Sequence, residues 1–472
     1  MAREFFGGSK LREFAHVFMK PLPDMLIGTA ASEVITHPDG LREQTFISPG
    51  VTLSNGHIAN KWLPIDWPKG HIAIKSFAAD VVKSEPGGEK PLPTPCCGGP
   101  TEATRDEVFM HHWTVNKWQL PASIFKDMVK KHGYDYDLTL RKRIGYIEFL
   151  AGAGLNSGAN GPCWDSTLHL YFGIGNEVRS KTKEGNDPYE FPEPYGIEFD
   201  DDFMRRKGEF MVLNTHLIDI RGARDRRACE ECKCTELGTR GFLNVTTGGL
   251  TCCHSTNLDG GKCPIQPEVT HSNVTYYIRY TIKWRDFSAA TLPLEVITLD
   301  ATDNNTKWGD LPWLPGGFAE THAALKADPT SLQTVNDGRS GDFDGKRSCH
   351  VEYYVPPCKG DELCRLRLVN SWEVPYPMHV VFLRNHFHAG GINMTTSSST
   401  FNCTGHGTYD NKSNLVDIST CTRANDLKEV GIERGDKIFV EAFYSQDDLP
   451  HYGVMAMSFV YAHVPRVQDF HI

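Results

Sequence analysis

Five histidines lie in three short segments of the chain, each with apolar, strand-like surroundings. They are His111 and His112 in FMHHW, His216 in MVLNTHLIDIRG, and His386 and His388 in FLRNHFHAGG. Imidazole is a ligand that suits copper. The clusters indicate two metal sites, one with three histidines and one with an H-x-H pair, and such sites are typical of an enzyme that uses oxygen.

Strand periodicity decides which of these side chains can share one metal. Alternate residues of a strand face the same side, so His386 and His388 can point into one site. His111 and His112 face opposite sides of a regular strand. Both can bind one metal only if a β-bulge or a strand end turns one of them.

A methionine-rich segment, HYGVMAMSFVY, offers a thioether to the second site. A thioether selects the soft Cu(I) state, and mixed ligation suits a site that cycles between Cu(I) and Cu(II). Met455 and Met457 share one face of a strand, so periodicity leaves either as the ligand. A methionine in an apolar strand is most often core packing, and 20 histidines form pairs by chance. Spacing alone therefore indicates only possible metal sites.

Short runs rich in Val, Ile, Phe, Tyr and Thr recur along the chain, separated by Gly, Pro, Asn and Asp. Such runs are typical of β-strands, and only residues 121–131 look helical. The predicted fold class is all-β, with two β-sandwich or jelly-roll domains and long, disulfide-rich loops. A boundary near residues 254–272 divides the chain into residues 1–268, which carry three of the histidines, and residues 269–472, which carry the H-x-H pair.

Size and charge narrow the possible partners. The 472 residues are too many for one ordinary core and predict two or three domains. The formal net charge of −10 argues against a nucleic-acid partner. No run of about 18 apolar residues occurs, so no membrane span is predicted.

Fourteen cysteines are many for a cytosolic protein, and an even number suits disulfides in an oxidising compartment. The rival interpretation is a thiolate cage for zinc, built from the cysteines between residues 229 and 263. Adjacent cysteine pairs do not match ordinary zinc-finger spacing, so disulfides are favoured. Their connectivity cannot be read from the sequence.

Six N-glycosylation sequons agree with a secretory compartment. They are at Asn244, Asn273, Asn304, Asn393, Asn402 and Asn411. The segment MAREFFGGSK lacks the apolar stretch of a signal peptide, so a leader missing from this sequence is expected. The predicted protein is a secreted or secretory glycoprotein with disulfide bonds.

The sequence segments around the histidines resemble those of one enzyme family. YPMHVVFLRNHFH (376–388) is similar to the copper-ligand strand of the peptidylglycine α-hydroxylating and dopamine β-type monooxygenases. MVLNTHLIDIRGARD (211–225) is similar to their strand with the third histidine of the first copper, and FMHHW resembles their His-His motif. These segments and the methionine-rich segment occur between residues 110 and 460 in the same order as in that family.

A second resemblance covers most of residues 50–465. Segments such as YFGIGNEVRS, RGARDRRACEECKC and YIRYTIKWRDF are similar to those of the stress-upregulated nodulin-like proteins of plants. That family resembles a divergent branch of the copper monooxygenase fold. Its single G-V-M pattern favours Met455 over Met457 as the thioether.

These resemblances imply a copper-dependent monooxygenase with two coppers per chain, in two jelly-roll domains that face a solvent cleft. The implied ligands are His111, His112 and His216 for an electron-transfer copper, and His386, His388 and Met455 for the catalytic copper at which dioxygen is activated. Ascorbate is the implied reductant, and the substrate is a peptide or a small organic molecule whose C–H bond is hydroxylated. The radical chemistry belongs to the metal, and the protein positions the groups around it.

One part of the implied substrate site departs from the family pattern. In the peptide-hydroxylating enzymes an arginine two residues before the H-x-H pair helps to anchor a substrate carboxylate, and Arg384 occupies that position. The family's Asn and Tyr, which complete the clamp, are replaced by Met457 and Phe459. Peptidylglycine is therefore not the expected substrate. The alternative function is that of a secreted, stress-associated copper-binding protein without catalysis.

Overall fold

The structure is a computed structural model of the chain. It describes residues 29–30, 32–84, 103–119, 126, 129–130, 168–175, 177, 189–224, 265–268, 272–301, 353–355, 365–374, 376–411, 413–423, 426–427, 430–445 and 451–465.

These residues are mostly β-strand, which confirms the all-β prediction. In chain order the 24 strands are β1 (Thr29–Ala30), β2 (Ile35–Thr36), β3 (Arg42–Ile47), β4 (Val51–Leu53), β5 (Ile58–Pro64), β6 (His71–Lys83), β7 (Val108–Gln119), β8 (Leu168–Ile174), β9 (Tyr189–Glu190), β10 (Tyr195–Asp200), β11 (Glu209–Asp219), β12 (Val274–Asp286), β13 (Leu292–Asp300), β14 (Tyr353–Val355), β15 (Arg365–Glu373), β16 (Met378–Phe387), β17 (Gly391–Ser397), β18 (Asn402–Tyr409), β19 (Leu415–Ile418), β20 (Thr420–Thr422), β21 (Val430–Ile432), β22 (Lys437–Ser445), β23 (His451–Val454) and β24 (Ala456–His463). One helix of defined bounds, α1, spans Asp201–Lys207.

The sequence does not predict helix α1, because seven residues are too few to show a helical hydrophobic period. Its ends are nevertheless specified locally. Asp200 caps the N-terminus by accepting the Phe203 N–H at 3.0 Å, and Gly208 ends the helix with a φ of 73°. Within the predicted helix 121–131, three residues are described, and all three are helical.

A 13-stranded sheet runs through both halves of the chain, with the main order β1-β3-β12-β6-β10-β13-β24-β16-β20. A four-stranded sheet, β5-β11-β7-β8, and a five-stranded sheet, β15-β22-β17-β18-β19, accompany it, and β14 pairs with β23. One large core combines side chains of β6 and β12 with side chains of β7 and β11. A second combines side chains of β16 with side chains of β15 and β22. This is a sandwich-like arrangement, and its jelly-roll connectivity stays a prediction.

Strand β24 is a wall shared by the two cores. Phe459 and Tyr461 belong to the first core, whereas Val460 and Ala462 belong to the second. A strand that is buried on both faces needs a nearly continuous apolar run, and AMSFVYA is such a run. Residues near the start of β24 therefore lie where the two halves of the molecule meet.

The 13-stranded sheet crosses the predicted domain boundary between residues 268 and 269. Strand β12 follows that boundary and pairs with β3, β4 and β6, which precede it. Strand β13 pairs with β10 in parallel and with β24 in antiparallel orientation. The division into two domains stays a prediction.

A disulfide joins Cys403 of β18 to Cys421 of β20, and both residues are buried in the second core. The disulfide prediction is confirmed for this pair. The other 12 of the 14 cysteines lie outside the described residues, and so does the proposed zinc cage. Of the sequon asparagines described, Asn273, Asn402 and Asn411 are exposed. No helix in the described ranges is long and apolar enough to cross a membrane.

Removing the disulfide by the double substitution Cys403→Ala and Cys421→Ala is expected to destabilise the protein by about 3 kcal/mol, because the cross-link restricts the unfolded chain. The bonded cysteines are 18 positions apart, which sets the size of the loop that is released. Urea unfolding followed by tryptophan fluorescence measures the change in the free energy of unfolding. A double variant as stable as the wild type would contradict this expectation.

Candidate metal centre

A β-bulge places His111 and His112 on the same face of β7. His112 pairs with His216 of β11, and the register then shifts, which leaves His111 as the extra residue. Met110 and Trp113 both point into the first core. The two histidines between them therefore both face away from that core, on the side of His216. The bulge that the sequence requires for a shared metal site is present.

The three histidines of β7 and β11 form a compact cluster. The Nδ1 atoms of His111 and His112 are 3.2 Å apart, and a ring nitrogen of His216 lies within 4.8 Å of its partners. Two imidazole nitrogens on one tetrahedral metal, each about 2.0 Å from it, are about 3.3 Å apart. The spacing of His111 and His112 thus fits a shared metal, and His216 is the third member of the set.

Asn214 fixes the tautomer of His112. Its amide nitrogen donates to the backbone carbonyl of Lys61 at 3.2 Å, so its amide oxygen faces His112 Nε2 at 2.7 Å. That oxygen can only accept, and His112 must therefore carry its proton on Nε2. The Nδ1 lone pair is then directed into the cluster, which is the state that a metal ligand needs.

His386 and His388 lie side by side at the end of β16, with ring centroids 5.2 Å apart. They are 3% and 8% exposed, respectively. Met457 of β24 is the cross-strand partner of His386, and such partners share one face of the sheet. Met455 precedes Met457 by two residues, belongs to the same core and lies nearer in register to His388. The register leaves both methionines available as the thioether.

Tyr444 of β22 ties the end of the H-x-H segment to Met455. Its oxygen accepts the backbone N–H of His388 at 2.7 Å, and its hydroxyl donates to the backbone carbonyl of Met455 at 2.5 Å. Tyr444 is fully buried. A phenol that both donates and accepts fixes two chain segments at once. This bridge brings the backbone of Met455 close to that of His388, and Met455 as the thioether ligand stays a prediction.

The two predicted ligand sets adjoin each other. The ring centroids of His111 and His388 are 4.8 Å apart in an edge-to-face contact. Four of the five imidazoles are buried, with His112 as the half-buried one. The expected solvent cleft between the two sets is therefore wrong for the described residues. Because the two cores share β24 as a wall, the two halves are packed against each other, and the histidines form one continuous cluster.

Arg384 lies on the same strand face as His386 and is 3% exposed. Its guanidinium lies over the ring of Tyr189 at 5.6 Å, and it is 4.0 Å from the carboxylate of Asp417. Its cross-strand partner is Phe459. The residue that replaces the tyrosine of the implied clamp is thus a buried ring beside Arg384. The role of Arg384 as a substrate anchor stays a prediction.

Glu177, which the sequence does not single out, places a carboxylate in the cluster. It is 4% exposed, and its carboxylate is hydrogen-bonded to Nδ1 of His386. Burial raises the pKa of the Glu177 carboxyl, but the charge and the hydrogen bond of His386 outweigh this effect and hold that pKa below its ordinary value. A buried carboxyl group that is hydrogen-bonded to His386 is therefore part of the histidine cluster.

A small cavity opens at the point where the two histidine sets meet. Its polar lining includes His111, Glu177 and His388, and its apolar lining includes Phe109 and Leu415. The cavity has a volume of about 20 Å³, which is room for one water molecule. A small ligand in this cavity would touch both halves of the cluster.

Three residues that position the histidines are missed by sequence reasoning. Asn214 precedes His216 by two residues, so strand periodicity alone assigns it to the same face. Glu177 follows the end of β8 in the segment GIGNE. The only local indication of a functional role is that an acidic residue stands there between a strand and a loop. Tyr444 is remote from both residues that it joins, and no local signal predicts it.

One protein family matches most of the chain. Its sequence profile, described as stress up-regulated Nod 19, matches residues 39–311 and 327–464. The two segments contain all the predicted metal ligands together with Glu177 and Arg384. None of the curated proteins compared with the chain matches it.

Substitution Asn214→Ala is expected to weaken metal binding at the three-histidine cluster by about 10- to 100-fold, because His112 loses the partner that fixes its tautomer. Competition of the protein with a coloured chelator measures the affinity. The control is Asn116→Ala, which removes a buried asparagine of the neighbouring strand β7 whose amide donates to Thr114. Equal losses in both variants would contradict the role assigned to Asn214.

Proposed function

The chain belongs to the stress up-regulated Nod 19 family, and from that premise we propose that it is a copper-dependent monooxygenase. It would use dioxygen and a reductant such as ascorbate to hydroxylate a C–H bond of a peptide or small organic substrate. The observation that carries the proposal is the continuous cluster of five imidazoles, in which the rings of His111 and His388 are 4.8 Å apart. The family match supplies the context, and the donor set supplies the chemistry.

The donor set fits copper. Imidazole suits copper in both of its oxidation states, and a thioether favours Cu(I). One copper would be held by His111, His112 and His216, and a second by His386, His388 and Met455. When bound, the metal supplies one-electron chemistry and the binding of dioxygen, which protein side chains alone cannot supply.

The protein's own residues account for binding, orientation and exclusion of water. Asn214 directs the His112 lone pair inward, and Tyr444 holds the backbone of Met455 close to that of His388. The contact between His111 and His388 gives the two ligand sets a direct route for electron transfer. Apolar residues such as Phe109 and Leu415 line the cavity and limit the water beside it.

The proposed substrate approaches the H-x-H side of the cluster. Arg384 would hold an anionic group of the substrate, since it lies on the same strand face as His386. Phe459, its cross-strand partner, offers an apolar contact where a hydroxyl group would donate a hydrogen bond. The site therefore favours a substrate with one anionic group and an apolar body over one that needs several hydrogen bonds.

Burial of the histidines favours a second candidate function, that of a copper-binding protein without catalysis. Four of the five imidazoles are buried, so metal held there is well shielded among the described residues. A protein that only stores or carries copper needs the donor set but no substrate site.

We further propose that the protein works in an oxidising, secretory compartment. The bond between Cys403 and Cys421 and the exposed sequons at Asn273, Asn402 and Asn411 support this localisation. Copper that cycles between two oxidation states also suits such a compartment, where free thiols that would compete for Cu(I) are scarce.

The purified protein is expected to bind two coppers and to consume oxygen when ascorbate is added. Variants His216→Ala and His386→Ala should each lose one copper and most of the oxygen uptake, since each removes one ligand from one set. Elemental analysis and an oxygen electrode measure the two results. The control is His379→Ala, an exposed histidine of β16 outside the cluster, which should retain both coppers.

Two outcomes of this experiment would contradict the proposed activity. Full copper loading without oxygen uptake over peptide, amine and phenolic substrates would favour the copper-binding function. Zinc in place of copper in the purified protein would favour a site without redox chemistry.

Substitution Met455→Ala is expected to remove the sulfur ligand of the reduced copper, whereas Met457→Ala should retain it. Tyr444 joins the backbone carbonyl of Met455 to the backbone N–H of His388, and the resemblance of the G-V-M pattern also favours Met455. X-ray absorption of the Cu(I)-loaded protein detects the copper–sulfur distance directly. Loss of the sulfur signal in Met457→Ala alone would reverse the assignment.

A further inference from the structure

The position of Glu177 depends on the small size of the neighbouring residue Gly175. It follows β8, where Gly175 lies between His111 of one ligand set and His386 of the other. A Cβ atom at position 175 would lie 2.8 Å from the backbone oxygen of His111, 2.9 Å from Oε2 of Glu177 and 3.1 Å from Cε1 of His386. The absence of a side chain at Gly175 thus leaves the space in which the Glu177 carboxylate reaches His386.

The hydrogen bond between Glu177 and His386 has a defined direction. Oε1 of Glu177 faces Nδ1 of His386, and a carboxylate oxygen accepts the hydrogen bond that an imidazole N–H donates. Oε1 of Glu177 also faces the backbone N–H of Gly175 at 3.4 Å. With its proton held on Nδ1, a neutral His386 carries the lone pair on Nε2, the nitrogen on the other side of the ring.

On these grounds we infer that Glu177 is a positioning residue of the H-x-H metal site, one that orients His386 and supplies a fixed negative charge to the copper held there. This inference rests on the proposed function, because it concerns the same donor set. A carboxylate that accepts the outer N–H of a ligand imidazole fixes the ring and increases its basicity. The negative charge stabilises Cu(II) more than Cu(I), because attraction grows with the charge of the cation.

The competing explanation is a structural ion pair between Glu177 and a protonated His386. In that state His386 has no lone pair, and it cannot bind a metal. The two explanations differ in one measurable respect. A positioning carboxylate changes the affinity and the oxidation-state preference of bound copper, whereas a structural ion pair changes only the stability of the fold.

The test compares copper bound by the whole protein with and without the charge at position 177. The probe is copper alone, and the relevant copper is the one that His386→Ala removes. Substitution Glu177→Gln keeps the size of the side chain and removes its charge. The expected result is a fall of about 10- to 100-fold in Cu(II) affinity at that site, a smaller fall in Cu(I) affinity and a higher reduction potential. The pulsed electron paramagnetic resonance signal of the imidazole's remote nitrogen should also change.

The matched control is Glu190→Gln, which removes the same charge from an exposed position on β9. It should leave both affinities and the potential unchanged. Gly175→Ala is the second variant, because its added methyl group displaces the carboxylate without removing the charge. It should shift the Cu(II) affinity in the same direction as Glu177→Gln, and circular dichroism reports whether each variant is folded.

A folded Glu177→Gln variant with wild-type affinities, potential and spectrum would overturn the inference and leave the proposed function standing. A wild-type chain that binds the His386-dependent copper but consumes no oxygen would end the proposed function alone, and a shift in Glu177→Gln would still support the role of Glu177. A wild-type chain that binds no His386-dependent copper would overturn both.

Discussion

The burial of β24 on both faces is the constraint on which the rest of the structure depends. Side chains such as Phe459 fill one core and Val460 the other, and full burial of each contributes about 1.5–3 kcal/mol. The hydroxyl of Tyr461 donates to the backbone carbonyl of Tyr171 at 2.8 Å, which joins β24 to β8. Since β8 leads to Glu177 and β24 begins after Met455, this packing brings residues of both halves to one place. The histidine cluster therefore results from the packing of the two cores on opposite faces of β24.

The cluster concentrates polar groups where apolar packing would otherwise prevail. Glu177 and four imidazoles are buried, and removing a charged group from water is costly unless a partner compensates for it. His386 compensates Glu177 directly, and Asn214 satisfies His112. A bound cation would add attraction for the carboxylate and for every lone pair directed inward. The arrangement therefore costs some stability of the fold, and the metal that we propose would offset that cost.

Local sequence predicts the histidines of the cluster and part of their geometry. Strand alternation predicts that His386 and His388 share a face, and it predicts that His111 and His112 need a bulge. The bulge itself depends on pairing with β11, about 100 residues away, and local patterns do not encode such pairing. The contact between His111 and His388 depends on the packing of two sandwiches, so the expectation of a solvent cleft fails there. Glu177 and Tyr444 escape prediction for the same reason, since each acts through a partner that is remote in sequence. The thioether is an intermediate case, because family pattern and the Tyr444 bridge favour Met455 while register alone does not decide.

Anomalous diffraction at the copper absorption edge, on crystals of the protein grown with copper, tests the central claim most directly. The account predicts two anomalous peaks within one buried region, one bounded by His111, His112 and His216 and the other by His386, His388 and Met455. The second peak should lie on the side of His386 opposite to Glu177, since the carboxylate holds Nδ1. Copper bound only at surface histidines, or a histidine cluster without any metal peak, would contradict it.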